Sequence, residues 1–376
     1  MIPFNKPYIA SSTFDYLKSS IESGRTSGDG PYTKTASENL SHKFLEAEVL
    51  LTPSCTHALE LAIRALRIGA GDEVIVPSFT FTSTANAVAI AGATPVFVDI
   101  DSLTQNIDIE ATLSAITSRT KAVFAINYGG VAAPLEKLRV ICEKREISLL
   151  EDNAHGLGAT LRGRPLGTFG VFGTQSFHET KNLQVGEGGA LVINDQSLLE
   201  ECEILREKGT NRSRFFRGQV DKYSWVDVGS SWLLADTLAA ILVAQLEDFE
   251  KIQEQRHKIW NYYDSELTQW AAANDVQKMH VPDEHGHSAH MYYLVLPTLD
   301  SRTRFIEHLS QQGIQAAFHY QPLHDSIAGM KFGVARGTFA NTFRAANQLV
   351  RLPLWAGLSE NDIQRILDSV TSFQNF

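Results

Sequence analysis

Cysteine is scarce. The chain carries only Cys55, Cys142 and Cys202, scattered and without C-x-x-C spacing. That excludes a disulfide framework and argues for a reduced, cytoplasmic protein. Long hydrophobic runs are missing as well. No stretch reaches the ~18 consecutive apolar residues that a membrane helix needs. The opening residues MIPFNKPYIA have no basic segment leading into an apolar one, so no signal peptide is read. Positive charge is in deficit. A formal net charge of -10 argues against a nucleic-acid partner, and any anionic ligand must be met by local positive charge.

What the chain does have is a large apolar fraction, 43% of 376 residues. That length exceeds a typical single domain and predicts two, divided here into residues 1–250 and 251–376. Residues 1–50 open irregularly. Gly24, Gly28 and Gly30 mark a loop, and a helix follows near 36–45. From residue 55 onward helices and strands alternate. Ala58, Leu59, Ala62, Ile63 and Leu66 fall at helical spacing. Strands are predicted at 73–76, 95–99, 122–126 and 147–151, with a helix at 135–145. This order predicts a mainly parallel sheet covered by helices. Ligands of such sheets sit beyond the carboxyl ends of the strands, where Asp152 and the loop 77–82 fall. A charged helix over 197–208 is followed by a long one from about 233 to about 267 that links the two domains. The remainder reads as strand 290–296, helix 302–312 ended by Gly313, strand 314–320 and a last helix opened by Ser359 and Asp362.

The most informative stretch is VFGTQSFHETKNLQVGEGGALVIN, residues 171–194. It reads as strand, turn, strand, with Lys181 and three glycines in the turn. A lysine between buried strands is costly unless it is paired or does chemistry. The bland reading is a surface lysine on a hairpin. Asp152, which ends the strand at 147–151, changes the balance. One carboxylate and one amine after two strands can face a single planar cofactor. Pyridoxal phosphate (PLP) is held in that way, a lysine linking to it covalently and a carboxylate keeping its ring nitrogen protonated.

Other segments leave alternatives open. Pro53 to Thr56 precede and begin a helix, whose N-terminus can either be capped by Ser/Thr or hold a phosphate; from sequence alone the cap is favoured. Phe81 reads as a core aromatic. Arg212, Arg214, Arg217 and Lys222 usually mean a solvated loop, but with Phe215 and Phe216 beside them they suit a nucleotide diphosphate or a partner subunit. His285, His287 and His290 lie in a polar loop without a cysteine or carboxylate at ligand spacing, so no metal is assigned. GLGATLRG is too short of context for a dinucleotide fold.

EDNAHG at 151–156, SFHETKN at 176–182 and GEGGA at 186–190 together resemble the DegT/DnrJ/EryC1 family. The family's members are fold-type-I PLP aminotransferases acting on nucleotide-linked keto-sugars. The resemblance implies an α/β fold with a seven-stranded-type, mainly parallel sheet and a smaller α+β C-terminal domain. It implies Lys181 as the cofactor-linked lysine and Asp152 at the ring nitrogen. Thr56 matches the phosphate-binding Gly-Thr of the family, Cys55 replaces its glycine, and Ser176 joins them. Phe81 would stack on the ring and His155 would pack close to it. His319, Tyr320 and His324, in FHYQPLH, match the substrate side, with Arg212 and Arg217 as further substrate contacts. The 24–30 loop would lie near the sugar. The segment 227–236 resembles one that reaches into a neighbouring subunit, implying a homodimer. Ser231 stands there in place of an asparagine that contacts phosphate, and Leu233 in place of an arginine. The run REKGTNRSRFFRGQVDKY at 206–223 resembles that of a member that aminates dTDP-4-keto-6-deoxy-D-glucose with L-glutamate as donor, and an aminotransferase for another nucleotide, sugar or ring position stays open as the alternative. A dehydratase of the same fold carries histidine in place of the lysine, and Lys181 argues against it. Lys181 and Asp152 together argue against a non-catalytic sugar-binding protein.

Overall fold

The computed structural model describes residues 1–374. The large sheet takes its strands from β1 (Glu48–Thr52), β2 (Glu73–Pro77), β3 (Thr94–Val98), β4 (Thr120–Ile126), β5 (Ser148–Asp152), β6 (Phe172–Ser176) and β7 (Gly189–Ile193). A small sheet is built from β8 (Gln277–Lys278), β9 (Tyr292–Val295), β10 (Ala317–Phe318) and, after the short strand β11 (Val334–Ala335), β12 (Leu349–Leu352). The large sheet runs β1-β7-β6-β5-β4-β2-β3-β11. From β6 to β11 neighbours are parallel, while β7 is antiparallel to both β6 and β1. The predicted seven strands are therefore joined by an eighth, β11, two residues contributed to the β3 edge by the C-terminal part of the chain. β2 (EVIVP) and β7 (GALVI) are buried along their whole length. Strands covered on both faces tolerate only such near-continuous apolar runs.

The small sheet runs β8-β9-β12-β10, all antiparallel. Its core of Tyr263, Tyr292, Leu294, Phe305, Leu349 and Ile366 also takes in Phe79 and Tyr128, which follow β2 and β4. The ends of the large-sheet strands are thus packed directly against the small sheet. Among the described residues, no helix is long and apolar enough to cross a membrane.

Two expectations change. The long helix over 233–267 is broken at Asp248 into Asp236–Glu247 and Phe249–Glu266. Its apolar residues serve two cores: Leu242, Val243 and Leu246 face the large sheet's core, and Ile259, Trp260 and Tyr263 face the small sheet's. One straight amphipathic stripe cannot face both. The strand over 314–320 shrinks to Ala317–Phe318, because His319 and Tyr320 turn away from the sheet into a cavity.

The irregular N-terminus contains a helix, Thr13–Glu22, that polar spacing conceals. Ahead of it residues 2–8 cross between the two sheets. Ile2 exchanges backbone hydrogen bonds with Gly313 and Gln315, Asn5 Nδ2 donates to Glu179 O at 3.1 Å, and the Tyr8 hydroxyl donates to Asp248 at 2.7 Å. The 24–30 loop ends on Gly30, where a Cβ would stand 2.4 Å from Asp236 Cγ. That close approach lets Asp236 cap the helix Pro31–Lys43 from outside. Its Oδ1 accepts from Thr33 N at 2.7 Å and Thr33 Oγ1 at 2.8 Å, and Oδ2 from Tyr32 N at 3.3 Å.

Asp236→Ala leaves these buried donors without an acceptor. It should destabilise the fold by about 2–3 kcal/mol, read as a lower denaturant midpoint at unchanged slope. An unchanged midpoint would remove Asp236 as the cap.

Candidate active site

A cavity of about 700 Å³ opens where the carboxyl ends of the parallel strands meet the small sheet. Its floor is Asp152, last residue of β5. Successive side chains of a strand point to opposite faces, and this pair of acids shows it. Glu151 turns into the protein and accepts hydrogen bonds from Gly167 N (2.8 Å), Phe169 N (2.6 Å), Gly170 N (3.0 Å) and Asn127 Nδ2 (3.2 Å). Asp152 turns to the cavity, where Oδ2 accepts from the Thr84 hydroxyl at 2.7 Å and Oδ1 from Ala154 N at 3.3 Å. Burial pushes the Asp152 pKa up; Thr84, Ala154 and Lys181 oppose the shift. A buried carboxylate with open acceptor capacity calls for a cationic or N–H partner in the cavity.

Lys181 enters from the turn between β6 and β7. Phe177 N bonds to Gly188 O at 2.8 Å, Glu179 N to Gly186 O at 3.0 Å and Lys181 N to His178 O at 2.9 Å, with Gly186 at φ +86. Burial lowers the Lys181 pKa to about 8, with Arg351 acting in the same direction against Cys55 and Asp152. Nζ makes no hydrogen bond or ion pair among the described residues. The amine is therefore held as a nucleophile in reserve.

A hydroxyl-lined corner lies at the N-terminus of the helix Cys55–Ala65. Ser54 is the cap and accepts from His57 N at 3.2 Å. Cys55 and Thr56 follow as its first residues, so the cap and anion-site readings are compatible: the capping side chain satisfies one amide and leaves the first turn facing the cavity. The Thr56 and Ser83 hydroxyls are 2.7 Å apart, and Ser176 also lines the corner. Gly189 makes the approach possible, since a Cβ there would stand 2.4 Å from Cys55 N. Burial pushes the Cys55 thiol up to about 12, so it is neutral.

Phe81 is not a core aromatic. It is 58% exposed and lines the cavity. On another wall the His155 ring stacks on His290 at 4.3 Å and 20°. His155 Nδ1 accepts from Gly129 N at 3.3 Å, which leaves the proton on Nε2. Burial, with Lys181 and Arg351, drives its pKa well below the usual histidine range, so the ring is neutral. His290 Nδ1 lies 2.9 Å from Asn182 Oδ1, tying that ring to the residue after Lys181. His319 stacks on Tyr320 at 3.8 Å and meets the Tyr128 hydroxyl at 3.1 Å through Nδ1.

The cavity thus brings together Cys55, Thr56, Phe81, Asp152, His155, Ser176, Lys181, His319 and Tyr320. Four further residues named from the sequence lie away from it. His324 stacks on Phe339 at 3.7 Å and bonds Ser78 Oγ at 2.6 Å. Arg212 pairs with Glu207, and Arg217 forms a two-pronged pair with Glu203 at 2.8 Å. Ser231 is exposed, bridged to Glu207. His285, His287 and His290 part company: His285 lies in a short strand opposite Leu161, His287 packs on Trp260, and His290 joins the cavity. No group of three or more metal-ligating side chains occurs among the described residues. The sequence reading missed Phe4, Asn5, Thr84, His290 and Arg351. Arg351 had a readable signal, a lone charge in the apolar run LVRLPL.

A family model for the DegT/DnrJ/EryC1/StrS aminotransferase family matches residues 7–371. The chain is 30% identical to the spore coat polysaccharide biosynthesis protein SpsC of Bacillus subtilis, covering 98% of this chain and 96% of that one. It is also 30% identical to a GDP-perosamine synthase from Vibrio cholerae, with both chains covered in full. Among solved structures, the PLP form of Spr1654 from Streptococcus pneumoniae superposes with a TM-score of 0.90 at 27% identity, covering 99% and 98% of the two chains. The cavity fits PLP, with a hydroxyl-lined helix start for a phosphate, an exposed aromatic for a ring face, a buried carboxylate for a ring nitrogen and an unpaired amine for an aldehyde.

Two measurements check these assignments. Asp152→Asn should slow turnover on the order of 10²-fold or more while the melting temperature stays near the parental one. Glu151→Gln, which can no longer accept all four donors, should do the reverse, costing about 2–4 kcal/mol of stability with near-normal turnover of the folded fraction. Parental activity in Asp152→Asn would take Asp152 out of the site. In cofactor-free protein, labelling of Lys181 by an amine reagent needs the neutral amine, so it should rise with pH through a midpoint near 8; a midpoint in the ordinary lysine range would contradict the burial argument. The chain belongs to the DegT/DnrJ/EryC1/StrS aminotransferase family and is a PLP-dependent aminotransferase.

Proposed function

We propose that the protein aminates a nucleotide-linked keto-sugar, converting dTDP-4-keto-6-deoxy-D-glucose to dTDP-4-amino-4,6-dideoxy-D-galactose with L-glutamate as donor. The product would be the amino sugar that feeds enterobacterial common antigen. The carrying observation is the unpaired Lys181 amine in one cavity with the buried Asp152 carboxylate. The run at 206–223 supports the choice of sugar by its resemblance. The full-length similarity to a GDP-perosamine synthase favours a second reading, a GDP-linked sugar.

In this reading residues 1–250 form the cofactor-binding domain and residues 251–376 the smaller one. PLP, when bound, supplies an electron sink that lets a C–H bond beside nitrogen ionise. Lys181 Nζ takes the proton from the donor's α-carbon and later returns one to the sugar carbon that receives nitrogen. A lysine pKa near 8 suits transfer in both directions close to neutral pH. Asp152 holds the proton on the ring nitrogen, and Thr84 and Ala154 N–H keep the carboxylate aimed at it. Thr56, Ser176 and the amide of Cys55 would hold the phosphate, Phe81 would cover a ring face, and the neutral His155 would flank the ring without adding charge. His319 and Tyr320 meet the sugar. His324 braces the loop at Ser78, and Ser231, Arg212 and Arg217 act across a homodimer interface in the cytoplasm.

The loaded protein and glutamate should be incubated with dTDP- and GDP-linked keto-sugars and the products identified by mass and NMR. The dTDP-linked amino sugar in galactose configuration is the expected product, made by a species sized as a dimer. Sole turnover of the GDP-linked sugar, or full activity in a monomer, would overturn the corresponding part.

A further inference from the structure

His290 enters the cavity just ahead of β9. The turn that delivers it is strained and heavily braced. Ala289 is buried and has φ +46, a left-handed conformation that alanine keeps only where its surroundings hold it. Arg256, buried on the helix Phe249–Glu266, donates from Nε to Ala289 O at 3.0 Å and from Nη2 to His290 O at 2.6 Å. Ser288 Oγ donates to His155 O at 2.6 Å, and Ser288 O accepts from Asn182 Nδ2 at 2.8 Å. The side chain aimed by this bracing is the His290 imidazole. The same contacts fix its proton. A carbonyl oxygen can only accept, so Asn182 turns Nδ2 to Ser288 O, and to Gln253 Oε1 at 2.9 Å as well. Asn182 Oδ1 is left facing His290 Nδ1 at 2.9 Å. Nδ1 therefore carries the proton and donates, and the ring lies flat against His155 at 4.3 Å.

We propose that His290 is a positioning residue for Lys181: through Asn182 it anchors the turn that carries the amine and keeps the amine from closing onto Asp152. The proposal rests on Lys181 being the amine that meets the cofactor. Asn182 follows Lys181 directly, and its amide makes three hydrogen bonds, to Gln253, Ser288 and His290. These tie the β6–β7 turn to the first helix of the small domain and to the braced 288–290 segment. A lysine stem is long and flexible, so its root must be fixed if the amine is to stand apart from a buried carboxylate. The charged and titratable groups that act on the amine are Asp152 and Cys55 on the large-sheet side and Arg351 on the small-sheet side. His155, His290 and His319 stand around it as neutral rings, and Lys181 is itself among the groups that keep each of them neutral. A neutral donor at His290 can hold the Asn182 amide without adding a second positive charge beside the lysine.

Two substitutions separate the hydrogen bond from the ring. His290→Phe keeps a flat ring against His155 and removes the donor. His290→Asn removes the ring and restores the donor, because an asparagine Nδ2 lies as many bonds from Cα as an imidazole Nδ1. In cofactor-free protein, the pH midpoint for labelling of Lys181 by an amine reagent should rise by about one unit in His290→Phe, since a nearer Asp152 favours the cation. It should return toward the parental value in His290→Asn. In the PLP-loaded protein, the first half-reaction with glutamate should slow on the order of tenfold in His290→Phe, with KM changed by less than a few fold. His290→Asn should recover most of that loss. Asn182→Ala should reproduce His290→Phe, and the double variant should add nothing to either, as expected of two residues in one tether. A parental midpoint in His290→Phe, additive effects in the double variant, or an equal defect in both His290 variants would overturn the proposal. A borohydride adduct on another lysine of the parental protein would remove the cofactor assignment and the His290 role together; an adduct on Lys181 with no shift in His290→Phe would remove only the second.

Discussion

The site depends on keeping two opposite charges apart in one cavity. Asp152 and Lys181 interact electrostatically, yet no ion pair forms between them among the described residues. Left free, they would close into a contact pair and neither would have capacity for a third group. The fold prevents this from both ends. Thr84 and Ala154 fix the carboxylate at the end of β5, and the hydrogen bonds of the β6–β7 turn fix the lysine backbone. The space between is the cavity, and a flat molecule with a cationic nitrogen at one edge and an aldehyde at another completes it. Burial raises the carboxylate's pKa and lowers the amine's, so both are poised toward neutrality until such a molecule arrives.

The sheet was legible because parallel strands buried on both faces must be apolar throughout, and EVIVP and GALVI leave little else to infer. Asp152 could be found because a charged residue stands out at the end of an apolar strand, and Lys181 because it lies in the turn between two such strands. What stayed hidden depends on chain segments distant in sequence. The break at Asp248 follows from two cores competing for one amphipathic stretch, and no local signal marks it. Phe4 and Asn5 reach the cavity through bonds to Gln315 and Glu179, contacts across 311 and 174 residues. Arg212 and Arg217 looked like a free basic cluster, yet Glu207 and Glu203 neutralise them. Those glutamates were in plain view on the preceding helix, but only the fold shows which arginine each meets. Phe81 erred in the other direction: apolar character argued for the core, and the structure leaves the ring bare at the cavity mouth.

The small sheet is as much part of the site as the large one. It contributes Arg351, His319 and Tyr320, and its core absorbs Phe79 and Tyr128 from the ends of the large-sheet strands. The N-terminal strap ties the two together at Gln315, Glu179 and Asp248. The large sheet therefore supplies one side of the cavity, with Asp152 and Lys181, and the small sheet and strap supply the facing wall.

The central claim is that Lys181, and no other lysine, is the amine that meets the cofactor. Borohydride reduction of the PLP-loaded protein followed by peptide mapping tests it most directly. A single reduced adduct on Lys181 is the predicted result; an adduct on another lysine, with Lys181 unmodified, would contradict the account.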